Sequence, residues 1–546
     1  MRLIRLFFIT AACGPLALLS CAKPTGPAWG GANELATGAI QQTAVAGLPR
    51  SSAVALWSQA LTAEALDTDQ SGLNVSQETR YRISSRLAMY ASYYGLLPSG
   101  DSAWSTPALL NTGAPAWTRR EDRNNSTGAV TRIYSANDQV FSAQPRIAAD
   151  SNGHALAVWQ QQDSYTNAQG VERTVRHVYH ALFDANTHSW TTPAPLDQGV
   201  ATTSVGSLRA GEPLDAFNPD ISVSSSGDAL AVWQQMSDAG GVSQIMARRY
   251  RPDLGWPVVA QKISTAAVGR AADMPRVQMQ NDNSGVAFAV WRQHETSVQN
   301  SANIDRHGVY AAKYASAAWA SAVKISDGLT EAVAPTISVN TNGKAVAAWA
   351  QVDYIIDGSG NVADPYIPPR YAYSIYANRF VSTTWLSAAE AVDTDTATAH
   401  AVDVTIDDND GIHAVWLQSS TPPGDIWNND SVMHIYRRDF VNNAWGATLM
   451  LDDQTRFDAD TPHIIGRGSA LLTYWKRWRD PRGGGGYDIM TQLYRNGAWG
   501  DSTRLSANDD AYATSASFDQ LGTAYVAWSA FDKAGAGQLW VNSAAP

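Results

Sequence analysis

The sequence predicts an all-β chain, an eight-bladed β-propeller of four-stranded antiparallel blades whose ring is closed by an N-terminal strand completing the last blade. Three observations carry this. The phrase "SNGHALAVWQQ" at 151–161 returns as "SSGDALAVWQQ" at 225–235, "NSGVAFAVWRQ" at 283–293, "TNGKAVAAWAQ" at 341–351 and "NDGIHAVWLQ" at 409–418. Each copy is flanked by further apolar runs of strand length with nothing helical between them, the signature of a repeated β unit. The unit left unfinished at the C-terminus finds its missing piece near the N-terminus.

Each unit has four parts. Part A, such as "PRIAADSNG", alternates apolar residues and ends in Asn, Asp or Ser before Gly, a strand entering a tight turn. Part B, "HALAVWQQ", is a β-rich strand carrying a tryptophan. After a long variable connection comes part C ("QIMARRY", "VYAAKY", "SIYANRF", "DIMTQLY"). A short turn then leads to part D, which opens on a second tryptophan and closes on "IS" or "L" ("GWPVVAQKIS", "AWGDSTRLS"). Four short antiparallel strands repeated in this way make a propeller blade.

The B-strand tryptophans are Trp57, Trp159, Trp233, Trp291, Trp349, Trp416, Trp475 and Trp528, so eight units are expected. No part D follows Trp528, but "AWGGANELATG" from Ala28 aligns with "AWGDSTRLSAN" from Ala498. The D-strand tryptophans are then Trp29, Trp104, Trp190, Trp256, Trp319, Trp385, Trp445 and Trp499. Building one blade from both termini removes the unpaired edge at the joint. Gln59, Gln161, Gln235, Gln293, Gln351 and Gln418, two residues after the B tryptophan and on its strand face, are expected to satisfy backbone groups at the rim. The "DSNG", "NDNSG" and "DDNDG" turns lack the ligand spacing and distal Glu of a calcium loop.

The opening "MRLIRLFFITAACGPLALLSC" has Arg2 and Arg5, an apolar run and small residues before Cys21, which reads as a secretory signal. Its end, Leu18-Leu19-Ser20-Cys21, resembles the lipobox of bacterial lipoproteins. That resemblance implies cleavage before Cys21 and a diacylglyceryl group on its thiol. Residues 1–20 are then the signal, 21–28 the lipidated Cys and a tether, and 29–546 the propeller. The resemblance also implies outer-membrane sorting in a diderm bacterium, because Ala22 and Lys23 replace the retention Asp. No later stretch reaches the roughly 18 apolar residues of a membrane helix. The net charge of the 546 residues is −11, and −13 without the two signal arginines, which argues against a nucleic-acid partner.

The A-to-B and C-to-D connections are short, whereas B-to-C and D-to-A connections, among them 60–84, 111–140, 162–175, 198–217, 352–371 and 419–431, are long and differ in every unit. In an up-and-down blade the long ones share a face, where binding is expected. Of 20 tryptophans, Trp117, Trp427 and Trp478 lie outside the repeat on that face, and Trp540 falls on strand C. Near them are Tyr165, Tyr354, Tyr366, Tyr371 and Tyr487, and the loop "KRWRDPRGGGGY" with Lys476, Arg477, Arg479 and Arg482. Flat aromatics beside arginines suit sugar rings, a protein hot spot or anionic groups; the competing reading is that they pack their own loops.

A second candidate is the residue after the opening Pro of strand A or its equivalent: Arg146, Asp220, Arg276, Thr336, Asp403 and His463. Alternating charges there favour pairing between blades, and Arg146 and Arg276, which are not in neighbouring units, are expected not to converge on one ligand. No nucleophile elbow, zinc signature, phosphate loop or redox Cys pair is present, so no metal and no cofactor are expected.

The D-strand tryptophan sits where bacterial sialidases carry the Asp-box hairpin, and "YRPDLGW" and "SGDSAW" resemble reduced versions of it. "PRI" at 145–147 and "PRV" at 275–277 are similar to the R-I-P arginine of those six-bladed enzymes. That resemblance implies Arg146, Arg276 and Asp403 as catalytic candidates. The reading from sequence is an envelope lipoprotein that uses its long-loop face to bind a glycan or protein. The binding candidates are Trp117, Trp427, Trp478, Arg479, Arg482, Tyr366 and Tyr371, with Cys21 lipidated. The alternatives are a sialidase-like glycoside hydrolase and a structural subunit of an envelope assembly.

Overall fold

The computed structural model describes residues 29–37, 40–60, 87–96, 102–111, 119–123, 130–135, 142–167, 170, 172–197, 212–237, 242–265, 270–299, 302–328, 330–353, 373–394, 397–420, 432–452, 458–479, 485–506, 510–531 and 537–545. Every regular element among them is a β-strand, and none is a helix able to cross a membrane. The strands form antiparallel sheets in chain order, A-B-C-D, each numbered here by its place in the chain. Sheet 1 runs from Ile40–Leu48 through Ser52–Ala60 and Leu87–Leu96 to the short D pieces Ser102–Trp104 and Ala108–Leu109. Sheet 2 opens on Ser142–Ala149, sheet 3 on Ala216–Val223, sheet 4 on Ala272–Met279 and sheet 5 on Thr330–Val339. Sheets 6, 7 and 8 open on Ala399–Ile406, Ala459–Arg467 and Asp510–Phe518. Sheets 4 and 5 are joined by one parallel pairing, His307 with Glu331. A separate hairpin, Arg119–Arg123 with Val130–Ser135, lies between sheets 1 and 2.

The repeated phrase is a packing device. All eight B-strand tryptophans are 0–1% exposed, and Trp57, Trp159, Trp291 and Trp416 stack on the Tyr opposite them in strand C at 6.0–6.4 Å. The glutamine two residues on accepts the indole N–H: Gln59, Gln161, Gln235, Gln293, Gln351 and Gln418 do so at 2.7–3.4 Å. This corrects the expected backbone role, which is the secondary one: Gln235 donates to the carbonyls of Leu214 and Asp215. The pairing follows from the period of two, which puts both side chains on one face. Sheets 7 and 8 carry Arg477 and Ala530 at that position, and there the indole N–H groups of Trp475 and Trp528 are buried without an acceptor among the described residues.

The D-strand tryptophans are half-buried and pack on the last aromatic of strand C, as Tyr94 with Trp104, Phe183 with Trp190 and Tyr494 with Trp499 do at 5.2–5.4 Å. Strand D closes on "IS" because its final side chain caps strand C: Ser264, Ser326 and Ser506 accept the N–H of Ile245, Val309 and Ile489 at 3.0–3.1 Å. The Asp-rich A-to-B turns are Asx loops. Asp150 accepts from the N–H of Asn152 and His154, both at 2.8 Å, and Gly153 supplies the left-handed backbone (φ +95°) that closes the turn. Asp407 and Asp519 likewise accept backbone N–H groups of their own turns.

Each A strand packs against the A strand of the next sheet, and Ile40–Leu48 also packs against Asp510–Phe518 and Ala524–Phe531 of sheet 8. Asn33–Thr37 is the fourth strand of sheet 8, antiparallel to Gly537–Ala544, with Asn33 opposite Val541 and Thr37 opposite Gln538. Trp29 bridges Ala544, the register Trp499 holds against Tyr494 in sheet 7.

Candidate functional site

The A strands share one local device. In six sheets a non-glycine residue adopts φ between +45° and +55°: Gln144, Asn218, Met274, Ala334, Ala401 and Thr461. At each, the A–B register slips, so each is a β-bulge, a feature that re-aims neighbouring side chains. Proline follows in five of the six, and the next residue is Arg146, Asp220, Arg276, Thr336, Asp403 or His463. Strand A begins at the long-connection side, so these six residues lie at that end of the inner strands. A space of about 380 Å³ opens among Asp220, Arg276, Thr336 and Asp403, with Ser338 and Arg467 deeper in.

The carboxylates there serve the scaffold. Asp220 accepts the edge N–H of Val277 at 2.9 Å, and Asp403 that of Ile464 at 3.2 Å. Ser222, Ser338 and Ser517 do the same for Met279, Ile406 and Gly47 at 2.9–3.1 Å, so four of the inner strands satisfy free edge groups of the next. Asp403 also takes the Thr336 hydroxyl at 2.9 Å and faces His463 Nδ1 at 3.4 Å. Pairing between sheets, the favoured role for this ring, describes these groups well.

The arginines are less well neutralised. Arg146 Nε stands 3.6 Å from Asp220. Arg276 donates to the Pro275 carbonyl at 3.2 Å, and among the described residues no carboxylate lies within ion-pair distance of it. Enclosure by protein and then the positive charge of Arg276 hold the Arg146 guanidinium below its usual range, against the opposing pull of Asp220 and Tyr474. Arg146 nonetheless keeps 41% of its side chain open to water. The charge of Arg276 thus acts on Arg146. His463 stacks on Tyr474 at 5.0 Å, and burial, then the Asp403 charge, raise the Tyr474 phenol well above its usual range.

The described part of the aromatic rim makes contacts within its own sheet. Trp478 packs edge-on against Tyr487 at 4.9 Å. Lys476 pairs with Asp460 at 2.8 Å, and Arg479, Arg477 and Arg504 converge on the buried Asp488 at 3.3, 3.9 and 3.0 Å. Trp478 and Arg479 thus pack their own sheet, the competing reading of that loop. Trp117, Trp427, Arg482, Tyr366, Tyr371 and Cys21 lie outside the described residues. The connection 162–175 is not a loop: strands B and C of sheet 2 continue as a hairpin, Gln162 to Thr166 pairing with Arg176 to Glu172. Among the described residues no group of three or more His, Cys, Asp or Glu could hold a metal.

Sequence reasoning missed the bulges, although proline inside five A strands is their signal, because proline in a strand marks an edge or a bulge. No family model and no curated protein matches the chain. Solved structures resemble it weakly. The polysaccharide lyase Uly1 aligns over 97% of this chain and 94% of its own at 11% identity and a TM-score of 0.43. An ulvan lyase of family PL25 aligns over 69% and 87% at 10% identity and 0.42. The GH93 α-L-arabinofuranosidase of Fusarium graminearum in complex with arabinobiose aligns over 69% and 97% at 12% and 0.35. Resemblance at this level assigns no activity to this chain.

Proposed function

We propose that the chain is an eight-bladed β-propeller, closed by its N-terminal strand, that binds an anionic glycan at the mouth of its central channel on the long-connection face. One observation carries the reading: Arg276 lines a polar space of about 380 Å³ whose carboxylates Asp220 and Asp403 are already committed to backbone amides, and Arg146 stands 3.6 Å from Asp220 at its edge. A carboxylate or sulfate on a sugar supplies the missing counter-charge, and charge-assisted bonds to guanidinium are the strong ones. In this proposal the protein is exported, cut before Cys21 and held by lipid at the outer membrane. Strand D of the last blade starts on the short-turn side, so that side faces the membrane and the channel mouth faces away.

Glycan cleavage is the second reading. It rests on His463, which lies against Tyr474 and Asp403 and offers a candidate acid–base pair beside Arg146. The test is a panel of acidic and neutral polysaccharides, scored for retention and for released product. Retention of acidic chains without product supports binding; product formation that disappears in His463→Ala supports cleavage; retention of neutral chains equal to acidic ones overturns the anionic reading.

A further inference from the structure

On the short-turn side, neighbouring sheets meet through one repeated contact. The residue before the last aromatic of strand C reaches across to the last aromatic of strand C in the next sheet. Arg249 lies over the Tyr314 ring at 5.6 Å, Lys313 over Phe380 at 4.8 Å and Arg379 over Phe440 at 4.3 Å. Between sheets 1 and 2 the same position is Tyr93, packed on Phe183 at 5.2 Å. Three successive interfaces therefore seat a cation on an aromatic face, an arrangement that attracts through the ring quadrupole.

Between sheets 2 and 3 the pattern breaks. The reaching residue is Leu182 and the ring is Tyr250. Leucine lacks the length and charge that Arg249, Lys313 and Arg379 bring, and a cavity of about 200 Å³ remains, bounded by Leu182, Tyr250, Leu156, Pro252, His154 and Asp150 among others. Its walls are largely apolar, which suits the methylene stem of a long cationic side chain. Its polar end holds the Asp150 carboxylate, 4% exposed, bonded to His154 Nδ1 at 2.9 Å. Burial and then the Asp150 charge raise the Tyr250 phenol, so the carboxylate acts on this ring. Gly227 keeps the space open at its edge: a Cβ there meets Asp150 Oδ2 at 2.9 Å and Pro252 at 3.1 Å.

We propose that this cavity binds a small organic cation, an alkylammonium or guanidinium group seated on Tyr250 in the place that the chain's own Arg or Lys occupies at the next three interfaces. The site lies on the face opposite the channel mouth and does not depend on the glycan reading. The cation comes either as a free amine or as a Lys or Arg side chain of a partner, and the two share this chemistry.

The test titrates the mature chain with n-butylammonium, with n-butanol as its neutral counterpart and with Nα-acetyl-lysine amide as the side-chain form, reading melting temperature and heat of binding. The expected result is saturable binding of butylammonium, at least tenfold weaker binding of butanol, and loss of butylammonium binding in Leu182→Arg, whose own guanidinium fills the seat. Acetyl-lysine amide binding as well as butylammonium points to a partner's side chain; weaker binding points to a free amine. Tyr250→Leu, which removes the ring but keeps an apolar wall, is the second variant and also loses the cation. Equal binding of butanol and butylammonium, no binding of either, or unchanged binding in a folded Leu182→Arg or Tyr250→Leu overturns the proposal.

Discussion

Removing residues 22–37 tests how the two ends of the chain depend on each other. Asn33, Glu34, Ala36 and Thr37 stand in register with Val541, Trp540, Leu539 and Gln538, and the Gly30 N–H reaches the Ser543 carbonyl at 2.9 Å. About five ladder bonds at about 1 kcal/mol each are lost. Leu35, half-buried, packs against Val541 and Tyr525 of sheet 8 and against Trp57 of sheet 1, and its removal adds about 2 kcal/mol. Gln59 also loses its acceptor, the Thr37 carbonyl at 2.9 Å. These losses come to about 7 kcal/mol before the half-buried Trp29, which packs on sheet 8, is counted. At about 2.1 cal/mol/K per residue, a chain of about 520 residues beginning at Ala22 unfolds with an entropy of about 1.1 kcal/mol/K, so Tm falls by at least about 6 °C. Calorimetry of chains beginning at Ala22 and at Gly38 measures this. The shorter one also exposes the Gly537–Ala544 edge and is expected to self-associate as concentration rises. Equal melting temperatures refute the reasoning.

Three further outcomes are expected. Trp233→Phe, which strands the Gln235 carbonyl oxygen, destabilises more than Trp528→Phe by about 1 kcal/mol in urea melts, because the Trp528 N–H has no acceptor to lose; equal costs contradict the pairing. Burial of His413 opposes protonation, but the Asp407 carboxylate 3.6 Å from Nε2 and the hydrogen bond of Nδ1 with Asp439 at 2.8 Å, with the charges of both, raise its pKa overall. Its folded pKa lies above the unfolded one, so its stabilisation is complete below the unfolded value near pH 6.5 and is lost as pH rises through the folded value. Melting temperature in that window therefore falls less with pH in His413→Gln than in the parent, and an unchanged slope contradicts this. Leu35→Ala lowers stability by about 2 kcal/mol, whereas Glu34→Ala, on the exposed side of the same strand, changes it by less than about 0.5 kcal/mol.

The local rules of the unit were legible because they repeat. The spacing of Trp159, Trp233 and Trp291 placed the B strands, and the likeness of Trp29 to Trp499 placed Asn33–Thr37 beside Gly537–Ala544. Side-chain partners were legible only where one strand holds both. Trp233 and Gln235 share a face by period two, yet the sequence does not say whether the amide turns to the indole or to the backbone. The ring of inner residues was visible as Arg146, Asp220 and Arg276, but their separation depends on how tightly the inner strands gather, which no single unit encodes. Arg477 and Arg479 looked like ligand groups because their partner, Asp488, lies on the adjoining strand, across the connection from them. Leu182 carries no mark in the sequence; its meaning appears only when Arg249, Lys313 and Arg379 are seen on their rings.

The most direct test of the account is the affinity of the mature chain for an acidic oligosaccharide, measured calorimetrically with the parent and Arg276→Gln at two salt concentrations. The account predicts binding that weakens with salt and falls in Arg276→Gln by about 1.5–3 kcal/mol, the range for a hydrogen bond to a charged group, with melting temperature unchanged because among the described residues Arg276 pairs with no carboxylate. An affinity that is the same in both proteins, or that is insensitive to salt, contradicts it.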